Sequence, residues 1–272
     1  MKDYIKQIIE TVQDNNLARC IVREYLQARL LEGLQESGAF QNWAFVGGTA
    51  LRFLYSMPRF SEDLDFSLSA SGVEDNFTGI MKSVRSLFLA EDYSLDIKVK
   101  SEKTVKNVFL NFEGLLYELE LSPHRSETVS IKVEIDTNPP IGAGLETSII
   151  RKYCLLNVQH YDRASLLAGK LHALLSRKYV KGRDIYDLFW YLSDRSWPAP
   201  NIILLNNALQ QTGWQGQTIT IYNWKNEISQ RISQYDWNKV IADVRPFIER
   251  QQDLKLLAKE NLLKLLENDV NR

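Results

Sequence analysis

Two aspartates one residue apart, Asp63 and Asp65, stand in the run Ser61-Glu62-Asp63-Leu64-Asp65-Phe66. On a strand they would point to the same face, with Cα atoms roughly 6–7 Å apart. Two ionised carboxylates that close repel each other unless a cation lies between them. Hard divalent cations take oxygen ligands, commonly one or two carboxylates together with substrate phosphates. A pair of such ions can bridge the attacking and leaving oxygens of a phosphoryl-type transfer. Upstream, Gly47-Gly48 sits between an apolar run, Trp43-Ala44-Phe45-Val46, and a helically spaced set, Leu51, Leu54 and Tyr55. A strand–glycine–helix passage offers free backbone N–H groups and the positive end of a helix dipole to an anion. It is neither GxGxxG nor a P-loop. Each half alone is commonplace, an acidic edge strand or a tight turn. Gly47-Gly48-Thr49, a helix, then Arg59-x-Ser61-x-Asp63-x-Asp65 in one short run is far more specific.

Positioning these residues requires a strand on each side of the first helix. Pro58 stops that helix, and Phe60 to Leu68 returns to alternation, with Leu64, Phe66 and Leu68 facing one side and the aspartates the other. Residues 4–36 are predicted helical, broken at Asp14-Asn15-Asn16 and ended at Gly38. A helix at 74–90 precedes a β-rich middle: strands at 95–99, 107–112, 115–121 and 129–136, closed by Pro139-Pro140 and the glycines at 142 and 144. From about residue 161 the pattern turns helical. Asp162 is a plausible N-cap, Leu166, Leu167, Leu171, Leu174 and Leu175 form an apolar face, and Gly182 interrupts before a helix at 185–193. Helices near 200–211, 222–232, 236–250 and 252–268 finish the chain. The composition shift near 145–160 predicts two domains, 1–155 and 156–272.

The 272 residues carry a net charge of −1, so any polyanion site must be a local patch and not a global field. Cys20 and Cys154 read as two reduced thiols. The amphipathic, charged N-terminus offers neither signal peptide nor membrane span, which makes the cytoplasm the expected compartment. His124, His160 and His172 lack metal-ligand spacing, and no Ser/His/Asp or Cys/His arrangement stands out.

The stretch "GGTALRFLYSMPRFSEDLDF" resembles the first motif of the AbiEii/AbiGii-type nucleotidyltransferase toxins of bacterial type IV toxin–antitoxin systems, within the polymerase-β-like nucleotidyltransferase superfamily. The superfamily's usual opening is Gly-Ser, and here Gly47-Gly48-Thr49 stands in its place. A phosphate contact there must come from backbone N–H, from Thr49 or from Ser61. "KLHALLSRKYVKGRDIYDL" is similar to the family's downstream motif, a helical Lys followed by Arg-Asp-x-x-Asp. The motifs span roughly residues 40–195.

What the resemblance implies is an α+β fold, a nucleotidyltransferase-like mixed sheet with flanking helices plus a helical C-terminal domain, with NTP and metal in a cleft. The implied activity is transfer of NMP from an NTP to an acceptor hydroxyl, with Mg²⁺ or Mn²⁺ as cofactor. The acceptor would be tRNA or another RNA, and the protein a toxin restrained by a cognate antitoxin, with no membrane involved. A third acid is expected on "SIKVEIDTN", Glu134 first and Asp136 as alternative, to complete a metal set with Asp63 and Asp65. Lys170 would meet the triphosphate. Gly47, Gly48, Thr49, Arg59, Ser61, Arg183, Asp184 and Asp187 form the rest of the expected nucleotide site, although Asp184 could equally cap its helix. The segment 163–183 holds six basic side chains and no acid. Arg177, Lys178 and Lys181 are the RNA-binding candidates. The rival functions are nucleotidyl transfer to a protein or small molecule, and a non-catalytic binding module on the same fold.

Overall fold

A computed structural model describes residues 2–101, 104–179 and 181–267. Its helices and strands run α1 (Lys2–Ile9), α2 (Asn15–Glu36), β1 (Trp43–Val46), α3 (Gly47–Tyr55), β2 (Leu64–Leu68), α4 (Phe77–Ala90), β3 (Leu95–Ser101), β4 (Val105–Phe112), α5 (Leu115–Glu118), β5 (Val129–Asp136), β6 (Leu145–Lys152), β7 (Cys154–Tyr161), α6 (Arg163–Ser176), α7 (Gly182–Ser193), α8 (Ile202–Gln211), α9 (Trp224–Ser233), α10 (Trp237–Val244) and α11 (Lys259–Glu267). The strands form one seven-stranded mixed sheet ordered β3-β4-β5-β2-β1-β7-β6. The α+β architecture expected from the sequence is therefore present.

The chain divides into two compact units. The first comprises residues 1–55, 60–139 and 146–160; the second comprises 56–59, 140–145 and 161–272.

In the first unit the sheet register is set by short apolar strands. Trp43 and Phe45 of β1 are fully buried, and Phe45 stacks on Phe66 of the antiparallel β2 with ring centroids 5.4 Å apart. β2 then runs parallel to β5. The side chain of Asp14 caps α2 by accepting from the backbone N–H groups of Asn16 and Leu17. The long α2 carries Val22, Leu26, Leu30 and Leu34 into the core, and with them Glu24, only 3% exposed. A buried carboxylate needs partners. Arg52 of α3 pairs with it, Lys152 Nζ lies 2.9 Å away and the Tyr153 hydroxyl donates at 3.0 Å. That single acid ties α2 to α3 and to the β6–β7 turn.

Two regions differ from the sequence expectation. Residues 115–121, expected as a strand, begin with the one-turn helix α5. Leu115, Leu116 and Leu119 are buried there, a helical spacing and not a strand alternation. Residues 145–161, expected only as a boundary, form the hairpin β6–β7, which turns at Tyr153 with φ +63°.

In the second unit Asn201 caps α8 through Leu204 N–H and donates to the Gly142 carbonyl at 2.7 Å. Gly144 N–H donates to Ser165 Oγ at 3.0 Å. These bonds stitch residues 140–145 to α6 and α8. At Gly182 a Cβ would lie 2.2 Å from the Val240 carbonyl oxygen, so only glycine permits α7 and α10 to meet there. The expected 236–250 helix stops at Val244, where Arg245-Pro246-Phe247 forms a 3₁₀ turn. The expected 252–268 helix is a 3₁₀ turn at Gln251–Lys255 followed by α11; residue 268 lies outside the described residues.

Candidate active site

The first unit gathers the predicted acids. Asp63 immediately precedes β2, and Asp65 lies on it, paired in register with Val46 of β1 on one side and Glu134 of β5 on the other. Neighbouring parallel strands place Asp65 and Glu134 side by side, about 4.8 Å apart between strands. Asp136 is one pleat further along, opposite Ser67. Burial raises its pKa, with Glu134 adding to the effect and the Asn138 N–H opposing it.

Gly47 begins α3 with φ +81°, and a Cβ there would stand 2.5 Å from Asp65 Oδ2. The Asp65 carboxylate thus occupies the volume that any other side chain would fill. Gly48 is buried behind it in the first turn of α3. Thr49 is fully buried, and its hydroxyl donates to the Asp63 carbonyl, which fixes the turn entering β2. Ser61 lies in the preceding loop, held by Gln27, whose amide donates to the Ser61 carbonyl at 3.1 Å.

Lys132, two residues before Glu134 on β5, shares its face of the strand. Its ammonium is ion-paired with Glu134. Burial alone would depress its pKa, but the Glu134 hydrogen bond and charge, followed by Asp63 and Asp65, outweigh burial and hold it above the ordinary 10.5. Lys132 pairs with Glu134 within the field of Asp63 and Asp65, and all three acids are hard oxygen donors. Such donors suit Mg²⁺ or Mn²⁺. Among the described residues no three His, Cys, Asp or Glu side chains already converge at metal-holding spacing.

The second unit gathers the predicted Lys-Arg-Asp set. Lys170, midway along α6, places Nζ 2.6 Å from Asp187 Oδ2 and 3.1 Å from Asp184 Oδ1, both on α7. Arg59 grips Asp187 with both prongs, Nε to Oδ1 at 2.6 Å and Nη2 to Oδ2 at 2.7 Å. Arg59 is 2% exposed and Asp187 is fully buried. Bidentate, desolvated pairs of this kind are strong and geometrically strict. Burial pulls the Lys170 pKa down, yet Asp187 and then Asp184 overcome it and leave it raised. For Asp184, burial pushes the carboxyl up while Lys170 and Arg177 outweigh it, so its pKa is lowered.

Asp184 sits inside the first turn of α7, where the N-cap is Lys181. Its carboxylate faces Lys170 and Arg177 rather than capping the helix. The basic segment 163–183 is not one helix: α6 ends at Ser176, and Arg177, Lys178 and Lys181 lie in the connection to α7. Arg177 is paired with Asp184, while Lys178 and its neighbour Tyr179 are exposed. The Arg183 guanidinium lies over the Phe247 ring at 4.4 Å. The Arg59–Asp187 pair escaped sequence reasoning because its members are 128 positions apart. The Arg-Asp-x-x-Asp spacing, which puts Asp184 and Asp187 on one helix face, was the available signal.

A family profile described as "Nucleotidyl transferase AbiEii toxin, Type IV TA system" matches residues 29–259. The chain belongs to the AbiEii nucleotidyltransferase toxin family. Two Helicobacter pylori structures share the fold. A Helicobacter pylori protein assigned as a nucleotidyltransferase superposes with a TM-score of 0.56 at 16% identity, covering 92% of this chain and 96% of the relative. JHP933 from Helicobacter pylori gives 0.53 at 17%, covering 92% and 93%. MenT4, the nucleotidyltransferase toxin Rv2826c of Mycobacterium tuberculosis H37Rv, gives 0.49 at 16%, covering 98% and 99%. No curated protein matches by sequence. Among the described residues no helix is long and apolar enough to cross a membrane.

Proposed function

We propose that this AbiEii-family chain transfers NMP from an NTP to a hydroxyl of an RNA, releasing pyrophosphate, and that it acts as a toxin held in check by a cognate antitoxin. The observation that carries this reading is the side-by-side register of Asp65 and Glu134, with Gly47 yielding its volume to the Asp65 carboxylate. Asp63, Asp65 and Glu134 would hold Mg²⁺ or Mn²⁺, with Asp136 in reserve. When bound, the metal supplies positive charge to the phosphate oxygens in the transition state.

In this reading the chain's own groups divide the remaining work. The Gly47 and Gly48 N–H groups at the start of α3 meet phosphate oxygens, with Ser61 beside them. Thr49 shapes that turn through the Asp63 carbonyl. The acceptor hydroxyl attacks the α-phosphorus as the bond to pyrophosphate breaks, and Glu134 takes the hydroxyl proton as the alternative to its metal-holding role. Lys170 and Arg183 offset charge on the leaving group. Arg59 acts through Asp187, holding the carboxylate that orients Lys170. Lys178, with Arg177 and Lys181 flanking it, contacts the RNA backbone.

The test incubates purified protein with total RNA and each α-labelled NTP in turn, with and without Mg²⁺. Label moving to RNA only with metal is the expected outcome. Label confined to protein or to a small acceptor would overturn the RNA assignment. Charge reversal at Lys178 separates the cases further, since it should cripple RNA transfer and spare any small-molecule transfer.

A further inference from the structure

The second unit holds a cavity of about 450 Å³ that the motifs do not account for. That volume is within the range of small-ligand sites. Its lining combines aromatic and cationic side chains, Tyr191, Trp197, Tyr222 and Trp224 with Arg195 and Lys225, and aliphatic ones such as Leu192 and Ile221. Trp197 is braced edge-on by Tyr191, with centroids 4.5 Å apart, and by Trp190 at 4.8 Å. The Tyr191 hydroxyl lies 3.0 Å from the carbonyl oxygens of Arg163 and Pro198, which fixes the ring. Lys225 Nζ sits 5.5 Å from the Trp224 ring centre and the Arg163 guanidinium 4.9 Å from that of Trp197.

The mouth is different from this braced floor. Tyr222 is 91% exposed, a large ring held out in water at the lip. The acids at the cavity are Asp194 and Glu267. Asp194 is taken up by Ser196, accepting from its N–H at 2.9 Å and its Oγ at 2.7 Å. A rigid aromatic wall, an open ring at the rim and basic side chains beside it match a stacked base with its phosphate.

The place on the helices is also informative. Leu167 and Tyr191 line the cavity. Leu167 lies three residues before Lys170 on α6, and Tyr191 four after Asp187 on α7, so each shares a helix face with a member of the Lys170–Asp187 pair. Four residues of helix advance about 6 Å.

We propose that this cavity is a subsite for an unpaired nucleotide of the acceptor RNA, stacking its base on the exposed Tyr222 ring at the rim while Arg195 and Lys225 meet its phosphate. The inference rests on the RNA-acceptor reading and adds the demand for a single-stranded segment. The test measures binding of a labelled single-stranded RNA of about twelve nucleotides, and of a duplex of equal length, to wild type, Tyr222→Ala and Arg195→Ala. NTP·Mg²⁺ titration and the thermal midpoint serve as controls on the fold and on the other subsite. The expected result is preference for the single strand, quenching of tryptophan emission on binding, and roughly tenfold weaker affinity in each variant. NTP·Mg²⁺ binding should stay unchanged, and the KM for RNA should rise while kcat holds. Wild-type transfer to RNA with both variants unaltered overturns the subsite alone, as does equal affinity for the duplex. Wild type that neither binds nor labels RNA overturns the acceptor reading together with the subsite.

Discussion

Gly47 joins two demands at one Cα: a left-handed φ of +81° and no Cβ within reach of Asp65. Alanine at this position pays for the backbone conformation and pushes the carboxylate out of its seat. Gly47→Ala should therefore lower stability by about 1 kcal/mol and reduce kcat by at least roughly tenfold; steady-state kinetics beside a melting curve measure both. Asp65 is the complementary case. Its neighbours Asp63 and Glu134 are also acidic, so its removal relieves repulsion that outweighs the attraction it gives Lys132. Asp65→Ala should cost at least roughly a hundredfold in transfer rate while the melting temperature holds or rises. Full transfer activity in that variant would refute the assignment of the acids. These residues were legible because their spacing encodes their placement, two residues on a strand and a glycine before a helix. Lys132 was not, since a lysine alternating with acids on a strand reads as a solvated face until the β2–β5 register brings Asp65 beside Glu134.

At the scale of elements, α6 and α7 are joined by charge as well as by leucines. Asp187 accepts from Arg59 and Lys170 at once and is wholly buried. Its removal leaves Arg59 and Lys170 facing each other with only Asp184 still paired to Lys170, a defect that costs about 3–5 kcal/mol. Asp187→Ala should therefore unfold at markedly lower denaturant. The double variant with Arg59→Met should recover part of the loss, which a chemical-denaturation cycle would resolve. Failure to recover would mean that Arg59 and Asp187 contribute independently. The same scale shows where elements could be read in advance. β5 alternates buried and half-exposed residues along its whole length, and β1 reads as a short apolar run buried at its first three residues. The hairpin β6–β7 was missed because β6 is an edge strand whose Leu145 and Ile149 are exposed, which blurs the alternation that marks a half-buried strand. α5 was misread because "LLYELEL" satisfies a strand pattern as well as one helical turn; Gly114, at φ +70°, starts the turn in the folded chain.

For the whole molecule, the buried ions set the pH window of stability. Asp184 has a folded pKa below its ordinary 3.8. Its contribution is present above about that value and is lost as pH falls through the folded pKa. Lys170 is raised above 10.5, so its contribution is complete below that value and disappears as pH climbs through the folded pKa. A plateau between the two limbs is the expected profile of melting temperature against pH. Asp184→Asn should flatten the acid limb; an unchanged slope there would show that other carboxylates govern acid unfolding.

The second unit is assembled from three stretches of chain, of which 56–59 carries Arg59 and 161–272 carries Asp187. No one scission of the gene can deliver that unit whole. A fragment beginning at residue 161 would keep Lys170, Asp184 and Asp187 but forfeit the guanidinium that neutralises the deepest carboxylate. Split chains, fusions at a single junction and recombination between relatives all meet the same obstacle, so the two units are bound to be inherited, expressed and redesigned as one piece.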